Sequence, residues 1–430
     1  MYIYLYDFIN YVLYIDDTIA RSHEVTSIVQ GIRFDGNNLT VMIATDNVDY
    51  LFAQAIAVSR AFPLYHAKSS TISPLLADRR IHVVMNYHGS DVICDWEARI
   101  EEISAVADSI RLCACLVDTP PNELNCKTYI QRVHEVCTEL HCPLQVIHGS
   151  ELRDHGLGGL WGVGKAAEYP PALAILSHLP SECSPESKSI CLVGKGIVYD
   201  TGGLSVKIGG NMCGMKGDMG GSAGVLGAFQ AIVKCNLKSP VHALLCIAEN
   251  SIGPMATRPD DIHTFYSGKT VEINNTDAEG RLVLGDGVAY AYSKLNPRII
   301  IDMATLTGAQ LVATGRRHAA IESNSDNLDV LAQQMGRYSG DLVHPIPYCP
   351  EFFKSEFAST VADMKNSVKD RSNAQSSCAG QFIANHIEDF INNGGEWLHV
   401  DMAGPVSSNE RGTGYGVALL YSLVKTLSLC

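Results

Sequence analysis

Asp277 and Glu279 stand one residue apart in the run Asn274-Asn275-Thr276-Asp277-Ala278-Glu279-Gly280-Arg281-Leu282. On an extended backbone alternate side chains share a face, so the two carboxylates would point together and could hold hard cations between them, with Arg281 continuing that face. The same residues suit a turn and a charged helix start, because Asn, Thr, Asp and Gly favour turns and caps. Upstream lies Val193-Gly194-Lys195-Gly196-Ile197-Val198-Tyr199-Asp200-Thr201-Gly202-Gly203, followed by Lys207 and then by Met215-Lys216-Gly217-Asp218-Met219-Gly220-Gly221. A buried strand is expected to end at Val193, where the glycines loosen the chain. Lys195, Asp200, Lys207 and Asp218 would then emerge at the C-terminal edge of a parallel sheet, where open α/β sheets place their sites. Taken singly, Lys195 reads equally as a solvated loop lysine, Asp200 as a turn former and Asp218 as an N-cap for a helix starting at Gly220. Together with the Asp277/Glu279 pair they point to one shared site.

Such a site needs a frame, and the chain alternates apolar runs bounded by turn residues with longer helical patterns, as an α/β protein with a largely parallel sheet does. Val41 to Ile43 and Ile81 to Met85 read as strands of a first, smaller domain. Trp96 to Val117 reads as one amphipathic helix, with Ile100, Ile103, Val106, Ile110 and Cys113 three or four apart, stopped by Asp118-Thr119-Pro120-Pro121. The expected division is therefore 1–95 for the first α/β domain, 96–118 for a linker helix and 119–430 for a larger α/β domain. Its strands are placed at Leu144 to Ile147, Ile190 to Val193, His242 to Ile247, Ile299 to Met303 and Trp397 to Asp401. Its helices are placed at Gly220 to Val233, Leu282 to Lys294, Gly380 to Ile391 and Gly416 to Thr426. Neither an internal repeat nor a flexible linker interrupts the larger domain.

Composition narrows the function classes. The 430 residues carry 46 acidic and 32 basic side chains, a formal charge of −14, which argues against wrapping nucleic acid phosphates. Only 18% of residues are charged, below the average of about 25%, which favours an oligomer that buries part of its surface. Fourteen irregularly spaced cysteines with no paired CxxC read as reduced cytosolic thiols. No apolar run reaches the roughly 18 residues that span a bilayer. The stretch Met1 to Tyr14 is apolar like a signal h-region, but it lacks a basic flank, carries Asp7 and has no small-residue cleavage site before Asp16 and Asp17. It is read as a buried strand or helix, the alternative being an artefact of an incomplete gene model. GLWGVGK at 159–165 has phosphate-loop spacing, but Ala166 stands where Ser or Thr must meet magnesium, so Lys165 and Pro170-Pro171 are read as a structured turn. The fifteen histidines contain no HExxH, and Cys378 has no evident base and is read as packed.

The unbroken NTDAEGRL at Asn275 to Leu282 resembles the signature of the leucyl aminopeptidases, a family of dinuclear metallopeptidases. The resemblance extends through VGKGIVYDTGG, MKGDMGG, the run Asp302 to Ala309 and LHVDMAGPV, covering nearly everything from Val117 to Val424. GVGKAAEYPPALAILSH at 162–178, AENSIGPMATRPDDI at 248–262 and VADMKNSVKDRSNAQSSCAG at 361–380 are similar to the animal branch of probable aminopeptidase-like proteins. The resemblance implies a small N-terminal α/β domain, here shortened, and a larger catalytic α/β domain whose central, mostly parallel mixed sheet is flanked by helices. It implies two divalent metal ions, zinc and/or manganese with magnesium also open, held by Lys195, Asp200, Asp218, Asp277 and Glu279, with Asp200 and Glu279 bridging. Two cations can activate a water and polarise a carbonyl. Lys195 can be a ligand only as the neutral amine, its pKa depressed by adjacent cations and burial.

By the same resemblance Lys207 would stay charged and meet the developing oxyanion, and Arg281 would hold a bicarbonate that moves a proton from the water. The first substrate side chain would lie against Met215, Thr305, Leu306, Gly308, Ala403 and Val406. These are mostly small or apolar, so the pocket should accept leucine- or methionine-like groups and reject charged ones; ordinary core packing is the alternative. Peptide substrates, a homo-hexamer and a cytoplasmic location follow as expectations, with no membrane or nucleic acid partner. A non-catalytic oligomeric scaffold, including a DNA-binding relative, is the rival; the complete set of metal positions and the −14 charge weigh against it.

Overall fold

The computed structural model describes residues 11–14, 22–32, 38–69, 80–90, 95–184, 186–210 and 212–428. The chain begins with β1 (Tyr11–Tyr14), α1 (Ser22–Gln30), β2 (Asn38–Thr45), α2 (Val48–Ser59) and β3 (Arg80–Tyr87), and the three strands pair in parallel in the order β1-β2-β3. Tyr11 to Tyr14 of the apolar N-terminal stretch is thus a strand, whereas Met1 to Asn10 lie outside the described residues.

The linker helix α3 spans Trp96–Asp118. Asp95 caps it by accepting from the Ala98 N–H at 2.9 Å, and Thr119 leaves it in an extended conformation, as a residue before proline does. Val106, Ile110 and Cys113 are buried as the spacing requires, but Ile100 is 51% exposed, so the buried stripe starts a turn later than expected.

The rest of the chain forms one eight-stranded mixed sheet. Its strands are β4 (Leu144–His148), β5 (Ala172–His178), β6 (Ser189–Asp200), β7 (Val241–Asn250), β10 (Pro297–Ala304), β11 (Ala319–Ser323), β12 (Val343–Pro345) and β14 (Glu396–Asp401), in the order β12-β11-β14-β10-β6-β7-β5-β4. The small strands β8 (Ile262–Thr264), β9 (Thr270–Glu272) and β13 (Met364–Lys365) pair apart from it. The central pairs β14-β10, β10-β6 and β6-β7 are parallel, and β5 and β11 attach antiparallel at the flanks. Both faces are covered, so alternate residues enter different cores. Ile299 and Ile301 pack on one side with Val400 and Leu245, and Ile300 packs on the other with Trp397 and Leu244. Each fully buried aliphatic side chain contributes about 1.5–3 kcal/mol.

Helices α4 (Cys126–Leu140), α5 (Gly158–Gly164), α6 (Gly220–Lys234), α7 (Gly280–Lys294), α8 (Gly308–Ala313), α9 (Asp326–Ser339), α10 (Gln375–Ala384) and α11 (Val417–Leu427) complete the layers. Residues of α6 and α11 belong to the first core, those of α7 and α10 to the second. Gly159 to Lys165 is helix α5 and its C-cap, and the turn expected at Lys165 follows it.

Two expectations are corrected, and two strands are added. The strand expected to end at Val193 runs unbroken through Gly194 and Gly196 to Asp200. Gly194 serves close packing rather than looseness, since a Cβ there would lie 2.4 Å from the Ser222 Cα of α6. The single helix expected over Gly380 to Ile391 is instead α10, a 3₁₀ turn at Asn385–Ile387 and a short helix at Glu388–Asn392. Strands β5 and β11, which the sequence did not announce, read ALAILSH and AAIES; their alanines and Leu carry little β preference, and burial overrides that.

Candidate metal centre

The chain passes from β6 through α6 to β7, then crosses back through α7 to β10 on the opposite side of β6. The crevice at the carboxyl ends of β6 and β10 is therefore a topological switch point, where α/β sheets bind ligands. Lys195 points into it from within β6 and Asp200 ends that strand, while Lys207 follows in the next loop. Asp218 stands between a 3₁₀ turn at Met215–Gly217 and α6, and Asp277 and Glu279 precede α7.

The Asp277–Glu279 segment is not extended. Thr276 and Asp277 form a turn, the Asp277 N–H donates to Asn275 Oδ1 at 3.1 Å, and Glu279 has φ −82° and ψ −31° as the N-cap of α7. The turn-and-helix-start reading is correct for the backbone, and Arg281 sits in the first helical turn rather than on a strand face. The carboxylates still converge: Asp200, Asp277 and Glu279 each offer an oxygen, all within 4.8 Å of one another.

Two ammonium groups thread this cluster. Lys195 Nζ lies 2.8 Å from Asp218 Oδ1 and 2.9 Å from Glu279 Oε1, and donates to the Thr305 carbonyl at 2.9 Å. Its side chain needs Gly280, where a Cβ would stand 2.7 Å from Nζ. Lys207 Nζ lies 2.7 Å from Asp200 Oδ2 and 2.6 Å from Asp277 Oδ1. Four carboxylates thus face two ammonium groups, and buried Asp218 Oδ2 and Glu279 Oε2 have no hydrogen-bond partner.

Electrostatics shows how strongly negative charge is concentrated. Burial, reinforced by Asp200, pushes Glu279 up to about 8, and burial pushes Asp218 up to about 6. Burial pulls Lys195 down, but Asp218, Glu279 and Asp200 outweigh it and hold the ammonium above its usual range. Burial alone therefore does not neutralise Lys195. Lys207 is likewise held above its usual range, because Asp200 and Asp277 outweigh its burial. Hard-oxygen donors, two orphaned buried carboxylate oxygens and an excess of negative charge fit divalent cations.

Arg281 is buried, which pushes it down to about 10; its Nη1 donates to the Asn366 carbonyl at 3.1 Å and its Nε has no partner. Cys378 is fully buried and its thiol is pushed up to about 11 by burial, in keeping with a packed rather than nucleophilic residue.

Of the residues expected to line a substrate pocket, Thr305, Leu306 and Gly308 follow β10, Ala403 and Val406 follow β14, and Met215 opens the 3₁₀ turn before Asp218. Thr305 and Val406 are mostly buried, Leu306, Ala403 and Met215 half-buried and Gly308 exposed. Thr305 also donates its hydroxyl to Asp218 Oδ1 at 2.8 Å. Two surface clefts, one including Lys188, Arg298 and Phe390 and the other Arg111, Arg132 and Lys234, contain none of these residues.

Sequence reasoning missed the supports. Asn250, at the end of β7, donates to Asp200 Oδ1 at 2.8 Å and to the Thr276 carbonyl at 3.1 Å. Asn366 accepts from the Asn274 and Asn275 N–H groups at 2.9 and 3.2 Å and donates to the Asn275 and Ala278 carbonyls at 2.7 and 3.2 Å, bracing the loop that presents Asp277 and Glu279. The position of Asn250 at the end of a strongly apolar run was a usable signal; Asn366, about ninety residues from its partners, offered none.

The catalytic-domain profile of the cytosol aminopeptidase family matches residues 111–421. The chain is 50% identical over 404 residues to the human protein named probable aminopeptidase NPEPL1, covering 94% of this chain and 76% of that one. The solved structure of Caenorhabditis elegans leucine aminopeptidase is similar with a TM-score of 0.88 and 38% identity, covering 95% of this chain and 81% of the other. The leucyl aminopeptidase of Trypanosoma cruzi is similar with a TM-score of 0.86 and 43% identity, covering 95% and 78%.

Proposed function

The chain belongs to the cytosol aminopeptidase family and is a metallo-aminopeptidase of the leucyl type, and from that premise we propose that it removes leucine- or methionine-like residues from peptide N-termini with two divalent ions. The observation that carries this reading is the group of four carboxylates around Lys195 and Lys207, three of them buried and Asp277 half-buried, with two buried carboxylate oxygens left without partners. Lys195, Asp200, Asp218, Asp277 and Glu279 would hold the ions, zinc and/or manganese with magnesium as a further candidate. When bound, such a pair supplies an activated water and a Lewis acid for the scissile carbonyl.

The remaining steps fall to the chain's own groups. Lys207, less buried than Lys195, would stay charged, and a fixed ammonium beside the reacting carbonyl would receive the oxyanion without reorganisation. Arg281 would hold a bicarbonate, for which its unpartnered Nε–H in a buried setting is a suitable donor. Met215, Thr305, Leu306, Gly308, Ala403 and Val406 would line the pocket for the first side chain, where an unpaired charge would be rejected by desolvation. The catalytic unit is taken as 119–430 behind the helix at 96–118, a reading supported by a family match starting at residue 111. A homo-hexamer in the cytoplasm is proposed on family grounds; among the described residues no helix is long and apolar enough to cross a membrane.

Two lysine variants test the assignment. Lys195→Ala is expected to lower bound metal, since it removes a ligand and leaves buried Asp218 and Glu279 without their cation. Lys207→Ala is expected to keep its metals and lose about 10²–10³ in kcat, the effect of deleting an oxyanion donor. Metal analysis and leucyl-peptide kinetics on both proteins decide the matter; equal metal loss in the two would overturn the role given to Lys207.

A further inference from the structure

Main-chain pairing between β10 and β14 closes with the Met402 N–H donating to the Ala304 carbonyl at 2.7 Å. Beyond it the two strands become the two walls of the proposed substrate pocket, residues 305–308 and 403–406. Two side chains fasten those walls, both fully buried. Asp401 Oδ1 accepts the backbone N–H groups of Leu306, Thr307 and Ala403 at 3.1, 3.3 and 3.3 Å, and Oδ2 accepts the hydroxyls of Thr307 and Ser376 at 2.6 and 3.3 Å. Gln310 Oε1 accepts the Gly404 N–H at 2.6 Å. Its Nε2 donates to Thr314 Oγ1, the Gly315 carbonyl and the His318 carbonyl at 2.7, 2.9 and 2.8 Å.

We propose that Asp401 and Gln310 are positioning residues that set the width of the pocket for the first substrate side chain and so determine which side chains the enzyme prefers. The inference deepens, and rests on, the aminopeptidase reading of the site. A carboxylate suits the first position because donors from three segments converge on it and both of its oxygens accept. Neither clamp residue hydrogen-bonds Lys195, Lys207 or the four carboxylates, although the Asp401 charge is felt at Arg281. Thr305, next to Leu306, is anchored independently, its carbonyl by Lys195 and its hydroxyl on Asp218. Loosening the walls should therefore shift selectivity before it disturbs metal binding. In pockets of this size one methylene of misfit is worth roughly 10–200-fold in discrimination, so a small displacement is readable.

The test compares wild type, Gln310→Ala, Asp401→Ala and Asp401→Asn on leucyl, alanyl and phenylalanyl substrates, with metal content measured on each preparation. Gln310→Ala and Asp401→Ala are expected to raise KM for the leucyl substrate about tenfold while the phenylalanyl substrate changes less, so that the leucyl-to-phenylalanyl ratio of kcat/KM falls at least about fivefold with metal retained. Asp401→Asn keeps one accepting oxygen, and the Thr307 and Ser376 hydroxyls can turn to accept from its amide; it should return the ratio to within about threefold of wild type. Should Asp401→Ala fail to fold, Gln310→Ala carries the same prediction. Calorimetric binding of free leucine and phenylalanine reads the pocket whether or not hydrolysis occurs, which separates failure of this inference from failure of the aminopeptidase reading. Equal losses on all three substrates, or an unchanged leucine-to-phenylalanine binding ratio in Gln310→Ala, would overturn the proposal.

Discussion

Protein stripped of divalent ions by a chelator is expected to lose its hydrolysis of leucyl peptides by a factor on the order of 10³ or more, and to recover it on addition of manganese or zinc. Metal ions supply several kcal/mol of transition-state stabilisation, and about 1.4 kcal/mol is a factor of ten. The described side chains of the cluster offer no replacement. Lys195 and Lys207 are held as ammonium groups by the carboxylates around them, and Cys378 is buried as a thiol. Binding also has a readout separate from catalysis. Ions that bind only the folded chain raise Tm by mass action, about 2.7 kcal/mol at a hundred times Kd, so Tm should rise with metal concentration alongside activity. Glu279 and Asp218 should make the stripped protein less stable as pH rises. Their folded pKa values, about 8 and about 6, lie above the unfolded ones, so protons bind the folded state more tightly. The stability this contributes is present below about pH 4 and is lost as pH rises through those values. Undiminished activity in protein shown to be metal-free would end the two-ion reading.

Arg281→Ala is expected to fold, to bind its metals and to lose roughly 10²–10⁴ in kcat, the span that general acid–base assistance supplies. Were Arg281 instead paired with a buried carboxylate and anchoring α7, its removal would cost about 3–5 kcal/mol. Among the described residues no carboxylate pairs with it; its single hydrogen bond goes to the Asn366 carbonyl, and its Nε is buried without a partner. A hydrogen bond from a charged donor contributes about 1.5–3 kcal/mol, less than breaking a buried ion pair would cost, so Tm should fall by several degrees at most. Added bicarbonate should help the wild type more than the variant. Tm, metal content and kcat measured on one preparation separate the two roles. A strongly destabilised variant whose folded fraction is fully active would defeat the proposed anion-holding role.

Much of the frame was legible because it depends on local patterns. The apolar runs at Val41, Ile81, Ile190, His242, Ile299 and Trp397 are strands, and the 3.6-residue spacing after Trp96 is the linker helix. What failed locally failed for physical reasons. Gly194 and Gly196 look like breakers in a sequence, yet in β6 they let α6 lie against the strand, so Lys195 is a strand residue and not a loop lysine. The strands β5 and β11 carry one β-branched residue each, Ile175 and Ile321, too few to mark them locally, and they take their places on the flanks of the sheet.

The residue types around the site were likewise determined by sequence alone: two lysines, four carboxylates and an arginine in motifs specific enough to indicate a family, because ligand chemistry is a property of side chains and of short spacings. Their meeting was not. Asp200 and Glu279 are 79 positions apart, and they converge because crossing from β7 back to β10 opens a crevice beside β6, with α7 entering from the far side. Only the tertiary structure revealed that Asp277 and Glu279 converge through a turn and a helix cap rather than along a strand. It alone showed that Asn250 and Asn366 brace the segments presenting the carboxylates, and that Asp401 and Gln310 tie the chain after β10 to the chain after β14. Hydrogen bonds between distant segments follow no periodicity, so a buried polar residue that supports a site looks in sequence like any other Asn, Asp or Gln until folding sets its partners beside it.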